Sequence, residues 1–377
     1  MKKILVITDK PINNGPRFIR EIEALKHEYK IIAFAKTPPP FDFIEYVPNN
    51  VPLLYERTIH KLYRMATGGK PWTRSISSIN RKIEKLFRKY NPDIVITHDP
   101  EFLPYIFQHK SFYNCKVIYN AHEYYPLEFE KRKNWLKTHG KYFSNLYKTY
   151  LQELDLLVNV CDSIALKCKK EFGKDSIVIP NASTYYPDIA PILHDEKGKI
   201  IKMIHHGAAI RERKIEYMIE SAQKLGNTFQ LDLMLIPGNK KYIKELIALV
   251  NSIENVNIIP PVKFYDIVPF LNKYDIGLFN LPPTNFNYLN ALPNKLFEFI
   301  QARLCIVVSN SPEMKKIVEN NSIGLVSAGF SAEELNKCLG KINMRQINNF
   351  KMNTDKVAEM LSAEKYYSVY LNAVKSL

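Results

Sequence analysis

The chain has 377 residues, 46% of them apolar, enough for two sizeable cores when a domain takes about 100–200 residues. It carries 53 Lys and Arg against 38 Asp and Glu, a formal charge of +15. No uninterrupted apolar run reaches about eighteen residues, which excludes a membrane-spanning helix, and Met1-Lys2-Lys3 leads straight into a strand pattern instead of a secretory leader. The expectation is a protein kept in the cytoplasm.

In the first half the order of patterns is strand then helix, repeated. Lys3 to Thr8 is strand-like, Arg17 to His27 places Phe18, Ile22 and Leu25 at helical spacing, and Tyr29 to Ala35 is strand-like again. The Pro-rich segment Thr37 to Pro52 is expected to be irregular. A basic helical stretch over 74–90 follows, then strands at Asp93–Thr97, Lys116–Asn120, Asp155–Val160 and Ser176–Ile179. Helices after Pro100, near 139–153 and up to Phe172 separate them.

Asn181 to Lys199, with Pro187, Pro191 and Gly198, reads as a linker, after which the alternation restarts. Ile200–His205 and Gln230–Ile236 are strands flanking a helix over Arg213–Leu225, and further strands fall at Asn255–Ile259, Asp275–Phe279, Cys305–Ser309 and Ile323–Val326. The expected organisation is an N-terminal domain over 1–185, a linker over 186–199 and a second domain over 200–354. A helical tail over 355–377 is expected to pack back on the first domain. Parallel βα repeats on both sides of a linker imply an α/β protein of two doubly wound sheets. Ligands in such sheets bind beyond the C-terminal strand ends, so the active site is expected in the cleft between the domains.

Charge is unevenly spread. Residues 1–186 carry 30 Lys and Arg against 19 Asp and Glu, leaving 23 against 19 for the rest. Within 54–90, Arg57, Lys61, Arg64, Lys70, Arg74, Arg81, Lys82, Lys85, Arg88 and Lys89 face only Glu56 and Glu84. A second run from Lys131-Arg132-Lys133 to Lys148 is interleaved with Phe129, Trp135, Tyr142, Phe143 and Tyr147. Basic and aromatic residues mixed on helices suit an anionic membrane surface; the alternative is an ordinary solvated face. Nothing resembles a nucleic-acid-reading motif, so no nucleic acid is expected.

The five cysteines (Cys115, Cys161, Cys168, Cys305, Cys338) are odd in number and lack a Cys-x-x-Cys pair, so they read as reduced and structural. No cluster has the spacing of a metal site, and the adjacent His205 and His206 point to opposite faces of a strand. No metal is expected.

Candidate site residues fall at strand ends. The first strand leads through Asn13-Asn14-Gly15-Pro16, too poor in glycine for a dinucleotide fingerprint, although its backbone N–H groups suit an acceptor. The next two ends are Thr97-His98-Asp99-Pro100 and Asn120-Ala121-His122-Glu123, which bring two imidazoles and two carboxylates to adjacent strands. In the second half, Gly207 would let the backbone approach a diphosphate and Arg213 at a helix start would grip it; Pro237-Gly238 offers another close approach.

The most informative stretch is Pro293-Asn294-Lys295-Leu296-Phe297-Glu298. It sets an ammonium and a carboxylate on one face of a helix N-terminus while Leu296, Phe299 and Ile300 turn inward. That pair reads either as a clamp for a phosphate and a sugar hydroxyl or as a surface pair worth about 0.3 kcal/mol. The preceding loop, Asn285 to Leu292, would set the choice of sugar.

Taken in order, these positions resemble the GT-B glycosyltransferases, in particular the large retaining family that uses nucleotide-sugars without a metal (glycosyltransferase family 4-like, group 1). The resemblance covers nearly the whole chain and implies two Rossmann-like domains facing an interdomain cleft. His122 looks like the family's histidine near the transferred sugar, Gly207 and Arg213 like its glycine and basic residue at the donor diphosphate, and Lys295 like the second basic residue there. Glu298 looks like the carboxylate that holds the ribose, and Val262 lies where backbone usually meets the base. The implied catalytic set is His122, Arg213 and Lys295. The implied donor site adds Gly207, Gly238, Val262, Asn290, Ala291, Leu292, Asn294 and Glu298, and the acceptor site is Asn14, Gly15, His98 and Asp99.

One departure is Asn290, where the family often carries a second glutamate; an amide hydrogen-bonds a sugar but cannot stabilise positive charge as a carboxylate does. The activity implied is transfer of a hexosyl or N-acetylhexosaminyl group from a UDP- or GDP-sugar, with no other cofactor. The acceptor would be a surface polysaccharide (capsule or lipopolysaccharide) or lipid-linked glycan, at the inner face of the cell membrane. The alternatives are a nucleotide-sugar epimerase of the same architecture and a non-catalytic sugar- or membrane-binding relative.

Overall fold

A computed structural model describes residues 1–13, 15–50, 62–63, 66–67, 78–195 and 200–377. The chain divides into two compact units: Met1–Pro180 with Asn285–Asn287 and Tyr366–Leu377, and Asn181–Thr284 with Tyr288–Lys365. Asn14 and the basic residues Arg57, Lys61, Arg64, Lys70 and Arg74 lie outside the described residues, as do 196–199 of the expected linker.

In the first unit, strands β1 (Lys2–Ile7), β2 (Tyr29–Ala35), β3 (Glu45–Pro48), β4 (Ile94–Thr97), β5 (Lys116–Asn120), β6 (Leu156–Asn159) and β7 (Ile177–Val178) form one parallel sheet in the order β3-β2-β1-β4-β5-β6-β7. Ile4, Leu5, Val6 and Ile7 of β1 are all buried, the mark of a strand covered on both faces. The order reverses at β1, which pairs with β2 on one side and β4 on the other, Ile4 facing Ile31 and Ile94.

Helix α1 (Pro16–Leu25) starts with Pro at its first turn, where a missing N–H costs nothing, and buries Phe18, Ile22 and Leu25. Helices α2 (Ser78–Tyr90), α3 (Leu103–Tyr113), α4 (Lys141–Tyr150) and α5 (Asp162–Phe172) follow, α5 closing on Gly173 in the left-handed region. In α2, Ile79, Ile83, Leu86 and Phe87 face inward while Arg81, Lys85, Arg88 and Lys89 are exposed.

The second unit holds β8 (Ile201–Ala208), β9 (Phe229–Ile236), β10 (Val256–Ile259), β11 (Ile276–Phe279), β12 (Cys305–Val308) and β13 (Gly324–Val326), parallel and ordered β10-β9-β8-β11-β12-β13. Its helices are α6 (Glu216–Leu225), α7 (Lys240–Val250), α8 (Asn294–Gln301), α9 (Pro312–Asn320), α10 (Ala332–Leu339) and α11 (Met344–Ala358), with shorter turns between them. The core packs Met203, Leu231, Leu233, Ile276, Leu278 and Val307 of the sheet against Met218, Ile219, Leu246, Leu335 and Ile347 of the helices. Gly277 on β11 leaves room for the Phe299 ring: a Cβ there would lie 2.4 Å from its Cγ. Phe299 thus seats α8, the helix of Lys295 and Glu298, directly on the sheet.

A final helix, α12 (Ala363–Lys375), carries Tyr367 and Tyr370 into the first unit. Their hydroxyls donate to the Arg17 carbonyl (3.2 Å) and to Glu21 Oε1 (2.7 Å). The expectation of one tail helix over 355–377 is replaced by two helices, α11 and α12, the break falling between Ala358 and Ala363.

The expectation of an irregular Thr37–Pro52 segment is corrected over Glu45–Pro48. That stretch is the edge strand β3, paired in register from Ile32↔Glu45 to Ala35↔Pro48. An edge strand bonds on one side only, so Pro48 at its end sacrifices little. The expected Arg213–Leu225 helix begins three residues later, at Glu216. Arg213 instead closes a 3-10 turn over Arg211–Arg213, and Lys214 takes a left-handed conformation at φ 50°.

Candidate active site

In the second unit the sheet order reverses between β8 and β11, the position where doubly wound sheets leave a crevice at their C-terminal ends. Gly207 sits there with φ +130°, a conformation that side-chain-bearing residues rarely adopt. A Cβ at this position would lie 2.3 Å from Lys295 Cε, 2.7 Å from Lys295 Nζ and 3.6 Å from Arg213 Nη1. The space that glycine leaves is therefore filled by Lys295 itself, not left open for the backbone to meet a diphosphate. Arg213 Nη1 donates to the Ala208 carbonyl at 3.1 Å, which aims the guanidinium at the same point.

Among the described residues neither cation is ion-paired; the Lys295 ammonium only overlooks the Phe279 ring, 5.7 Å from its centroid. Burial, then the charge of Arg213, brings the Lys295 pKa down to about 8, with Glu298 opposing. The alternative of an ordinary surface pair is set aside for Glu298, which is 5% exposed. Its Oε2 lies 3.2 Å from His206 Nε2, yet that nitrogen has no aligned hydrogen bond, and burial together with Lys295 and His205 holds the imidazole neutral. We read this as packing of a carboxylate against a neutral ring, not as an ion pair. His205 faces the Leu278 carbonyl through Nδ1 at 3.1 Å and stacks on Phe279. Burial, then Lys295, lowers its pKa to about 3.

The other expected donor residues lie around this point with less to distinguish them. Gly238 precedes Asn239, whose side chain caps α7, and a Cβ on it would come within 3.0 Å of the Ala209 carbonyl oxygen. Asn290 is buried, Ala291, Leu292 and Asn294 are partly exposed just ahead of and at the start of α8, and Val262 is partly exposed beyond β10. The loop expected to choose the sugar is divided: Asn285–Asn287 cluster with the first unit. There Asn287 accepts from the Tyr124 N–H (2.8 Å) and donates to its carbonyl (3.2 Å), and Asn285 donates to the Glu128 carbonyl (2.9 Å).

In the first unit the reversal between β1 and β4 gathers Thr8, His98, Asp99 and, from β5, His122. His98 Nδ1 stands 2.9 Å from His122 Nε2, and His98 Nε2 stands 2.8 Å from Glu21 Oε2 on α1. Asp99 turns away from them, accepting from Thr8 Oγ1 at 2.6 Å and the Asp9 N–H at 2.9 Å, with Lys10 at 3.5 Å. His98 and Asp99 are thus buried and engaged inside the unit, which gives them a supporting place more than an acceptor-facing one. Gly15 is the N-cap of α1, and Glu123 is exposed outside the cluster. Burial, then the charges of Lys10, Arg17 and His98, holds His122 neutral. Glu21, Arg17, Asn120 and Tyr370, which complete this network, were not singled out from the sequence. Only the spacing of Arg17 and Glu21, four apart on the helix after β1, could have pointed to them.

Among the described residues, no group of three or more His, Cys, Asp or Glu is placed to hold a metal ion, and no helix is long and apolar enough to cross a membrane.

Residues 17–182 match the sequence profile described as Glycosyltransferase Family 4. The whole chain superposes on sucrose-phosphate synthase from Thermosynechococcus elongatus with a TM-score of 0.75 at 12% identity, covering 100% of this chain and 99% of that one. By that match residues 17–182 resemble the family, and by that superposition the whole chain has the GT-B fold. HepE of Anabaena, solved in complex with UDP, gives a TM-score of 0.70 at 11% identity over 100% of both chains. WaaG, a glycosyltransferase involved in lipopolysaccharide biosynthesis, gives 0.63 at 11% over 98% of each. No curated protein sequence matches.

Gly207→Ala is expected to lower the thermal midpoint of the second unit. The backbone conformation alone costs about 1–3 kcal/mol, and the added methyl must also displace Lys295. Calorimetry with and without UDP checks both effects; an unchanged midpoint with unchanged nucleotide binding would contradict the packing described.

Proposed function

We propose that the chain transfers a hexosyl or N-acetylhexosaminyl group from a UDP- or GDP-sugar to a surface-polysaccharide or lipid-linked glycan acceptor, with retention and without a metal. The observation that carries this reading is the pair of cations at Gly207. Lys295 and Arg213 converge within 4 Å of one point, and among the described residues no carboxylate is paired to either. Two such groups at the end of a parallel strand are suited to a diphosphate. UDP in the HepE complex supports a uridine donor, and the role of WaaG in lipopolysaccharide biosynthesis supports a surface-glycan acceptor.

In the mechanism, negative charge builds on the departing diphosphate as the glycosidic bond breaks. Lys295 and Arg213 stabilise it, the electrostatic contribution that is usually largest in such chemistry. Glu298 accepts from the ribose hydroxyls, Asn290 to Asn294 line the sugar, and His122 lies beside the transferred sugar. Acceptor binding falls to the first unit, around Gly15, with the buried His98 and Asp99 in support.

Lys295→Ala and Arg213→Ala are each expected to lower turnover by about 10² or more, the scale of losing one preorganised donor. The assay incubates the protein with a panel of UDP- and GDP-sugars, with and without acceptor extract, and follows free nucleoside diphosphate and donor identity. Near wild-type rates in both variants would refute the assignment. Donor converted without acceptor would instead mark an epimerase, and nucleotide bound but never released a non-catalytic relative.

The Lys295 pKa of about 8 adds a second expectation. A diphosphate favours the ammonium, so above that value binding must draw a proton from solvent, and affinity falls as pH rises through it. Calorimetric titration with UDP at about pH 8.5, in buffers of different ionisation enthalpy, should show uptake of most of one proton in the wild type and none in Lys295→Ala. Equal uptake in both would assign the proton elsewhere.

The acceptor side is proposed to lie on an anionic membrane surface. Support comes from the exposed Arg81, Lys85, Arg88 and Lys89 on α2, and from exposed Lys131, Arg132, Lys133 and Lys137 beside the half-exposed Phe129 and Leu136. Each such cation near anionic headgroups contributes about 1 kcal/mol. Flotation with phosphatidylglycerol vesicles at low salt should carry the protein upward and high salt should release it. An absence of flotation at low salt, where attraction is strongest, would end the membrane assignment.

A further inference from the structure

Helices α2 and α3 of the first unit pack side by side, and between them opens a pocket of about 400 Å³. Asn80, Glu84 and Arg88 line it from α2, and Gln108, His109, Phe112 and Tyr113 from α3. Helix α3 leaves the end of β4 at Thr97 and returns to the start of β5 at Lys116, while α2 leads into the start of β4 at Ile94. Arg88, Phe112 and Tyr113, late in both helices, therefore lie toward the strand starts. That is the end of the sheet away from Gly15 and His122, and the transfer chemistry uses none of these side chains.

The lining is polar, yet its charges are matched. Arg88 Nη2 donates to Glu84 Oε1 at 2.6 Å, a pair four apart on the helix. His109 Nε2 stands 3.0 Å from Asn80 Oδ1, and burial, opposed by Glu84 and helped by Arg88, lowers the imidazole pKa and keeps the ring neutral. A phosphate entering here would meet the Glu84 carboxylate, and a cation the Arg88 guanidinium. What the walls offer is hydrogen bonding. The carboxylate has acceptor sites beyond the one Arg88 uses, and the guanidinium has further N–H groups. Gln108 Oε1, buried in the wall, has no hydrogen-bond partner, and its side chain has several torsions through which to bring that oxygen to an entering hydroxyl. Beside these groups stand aromatic rings. Phe112, at 80% exposure, is the most exposed large apolar side chain among the described residues. The buried Phe87 ring holds Tyr113 and His109 in place, with centroids at 5.3 and 5.7 Å. A ring face next to directional polar groups suits a molecule with an apolar C–H face and hydroxyls around its edge, which describes a pyranose.

We propose that the pocket between α2 and α3 is a second saccharide site, which holds a neutral hexose or N-acetylhexosamine unit with its C–H face on Phe112 and its hydroxyls on Glu84, Arg88 and Gln108. A volume of about 400 Å³ falls low in the range of about 300–1,000 Å³ for small-molecule sites, room for a monosaccharide or a disaccharide. The same sugar chemistry has two sources. One is a unit of the acceptor glycan remote from the point of transfer, and the other is a glycolipid headgroup at the membrane surface beside the basic face of α2. The choice of source rests on the sugar-transfer and membrane readings; the site itself does not.

The experiment follows the His109 signal by nitrogen-15 NMR of histidine-labelled full-length protein, assigned with His109→Gln. The probes are methyl β-D-glucoside, methyl β-D-galactoside and N-acetyl-D-glucosamine, with inorganic phosphate as the charged control. UDP is held at saturation so that the nucleotide site is filled throughout. Titration runs to about 50 mM, above the millimolar range of a site with few contacts. Phe112→Ala is the variant, because a side chain so exposed is removed without loss of core packing.

At least one of the sugars should shift the His109 signal saturably, and phosphate should leave it in place. Phe112→Ala should weaken that sugar about 5- to 10-fold, the scale of one aromatic contact, at an unchanged thermal midpoint. No shift with any sugar overturns the proposal, and so does a shift with phosphate alone or a sugar affinity that Phe112→Ala leaves unchanged. Two further arms separate the sources. Flotation on phosphatidylcholine vesicles carrying a glucosyl-diacylglycerol, lost in Phe112→Ala, assigns the glycolipid. A raised KM for acceptor extract at unchanged kcat in the same variant assigns the acceptor glycan, and absence of both effects overturns both sources. A wild type that transfers no sugar from any donor would sink the sugar-transfer reading, while the His109 titration still decides the pocket.

Discussion

Two cations held side by side repel each other, and a fold that brings Lys295 and Arg213 to one point, with no carboxylate paired to either among the described residues, does so against that repulsion. The second unit is organised around this arrangement. The sheet reverses between β8 and β11, Gly207 gives up a side chain so that the lysine can lie across the strand end, and Gly277 gives up another so that Phe299 can anchor the helix bearing it. His205 and His206, both neutral, line the same place without adding charge. The result is a concentrated positive spot at the strand ends.

The first unit solves the opposite problem. Its buried Arg17 and Glu21 meet through the Asn120 amide, and His98 and His122 extend from Glu21 in a line.

Much of this was legible in the chain wherever the physics is local. Runs such as Ile4–Ile7 and Cys305–Val308, short and apolar without alternation, read as strands buried on both faces, and their alternation with helical patterns points to parallel sheets. Lys295 and Glu298 were legible because three residues on a helix place them on one face. What escaped was non-local or one-sided. Glu21 meets His98 across 77 positions and Tyr370 across 349, separations that carry no periodicity. β3 escaped because an edge strand tolerates the prolines that a central strand would reject. The role of Gly207 was read as room for a ligand, whereas the structure gives that room to Lys295, a distinction that depends on a side chain arriving from nearly ninety residues away.

The hydroxyl that Tyr370 lends to Glu21 also bears on how the molecule is made. The first unit is discontinuous along the chain, with most of it in Met1–Pro180 and its closing helix in Tyr366–Leu377. Along the chain, the donor that completes this hydrogen-bond network therefore comes after the whole of the second unit, so a unit begun at one end of the sequence is closed by residues some 350 positions away.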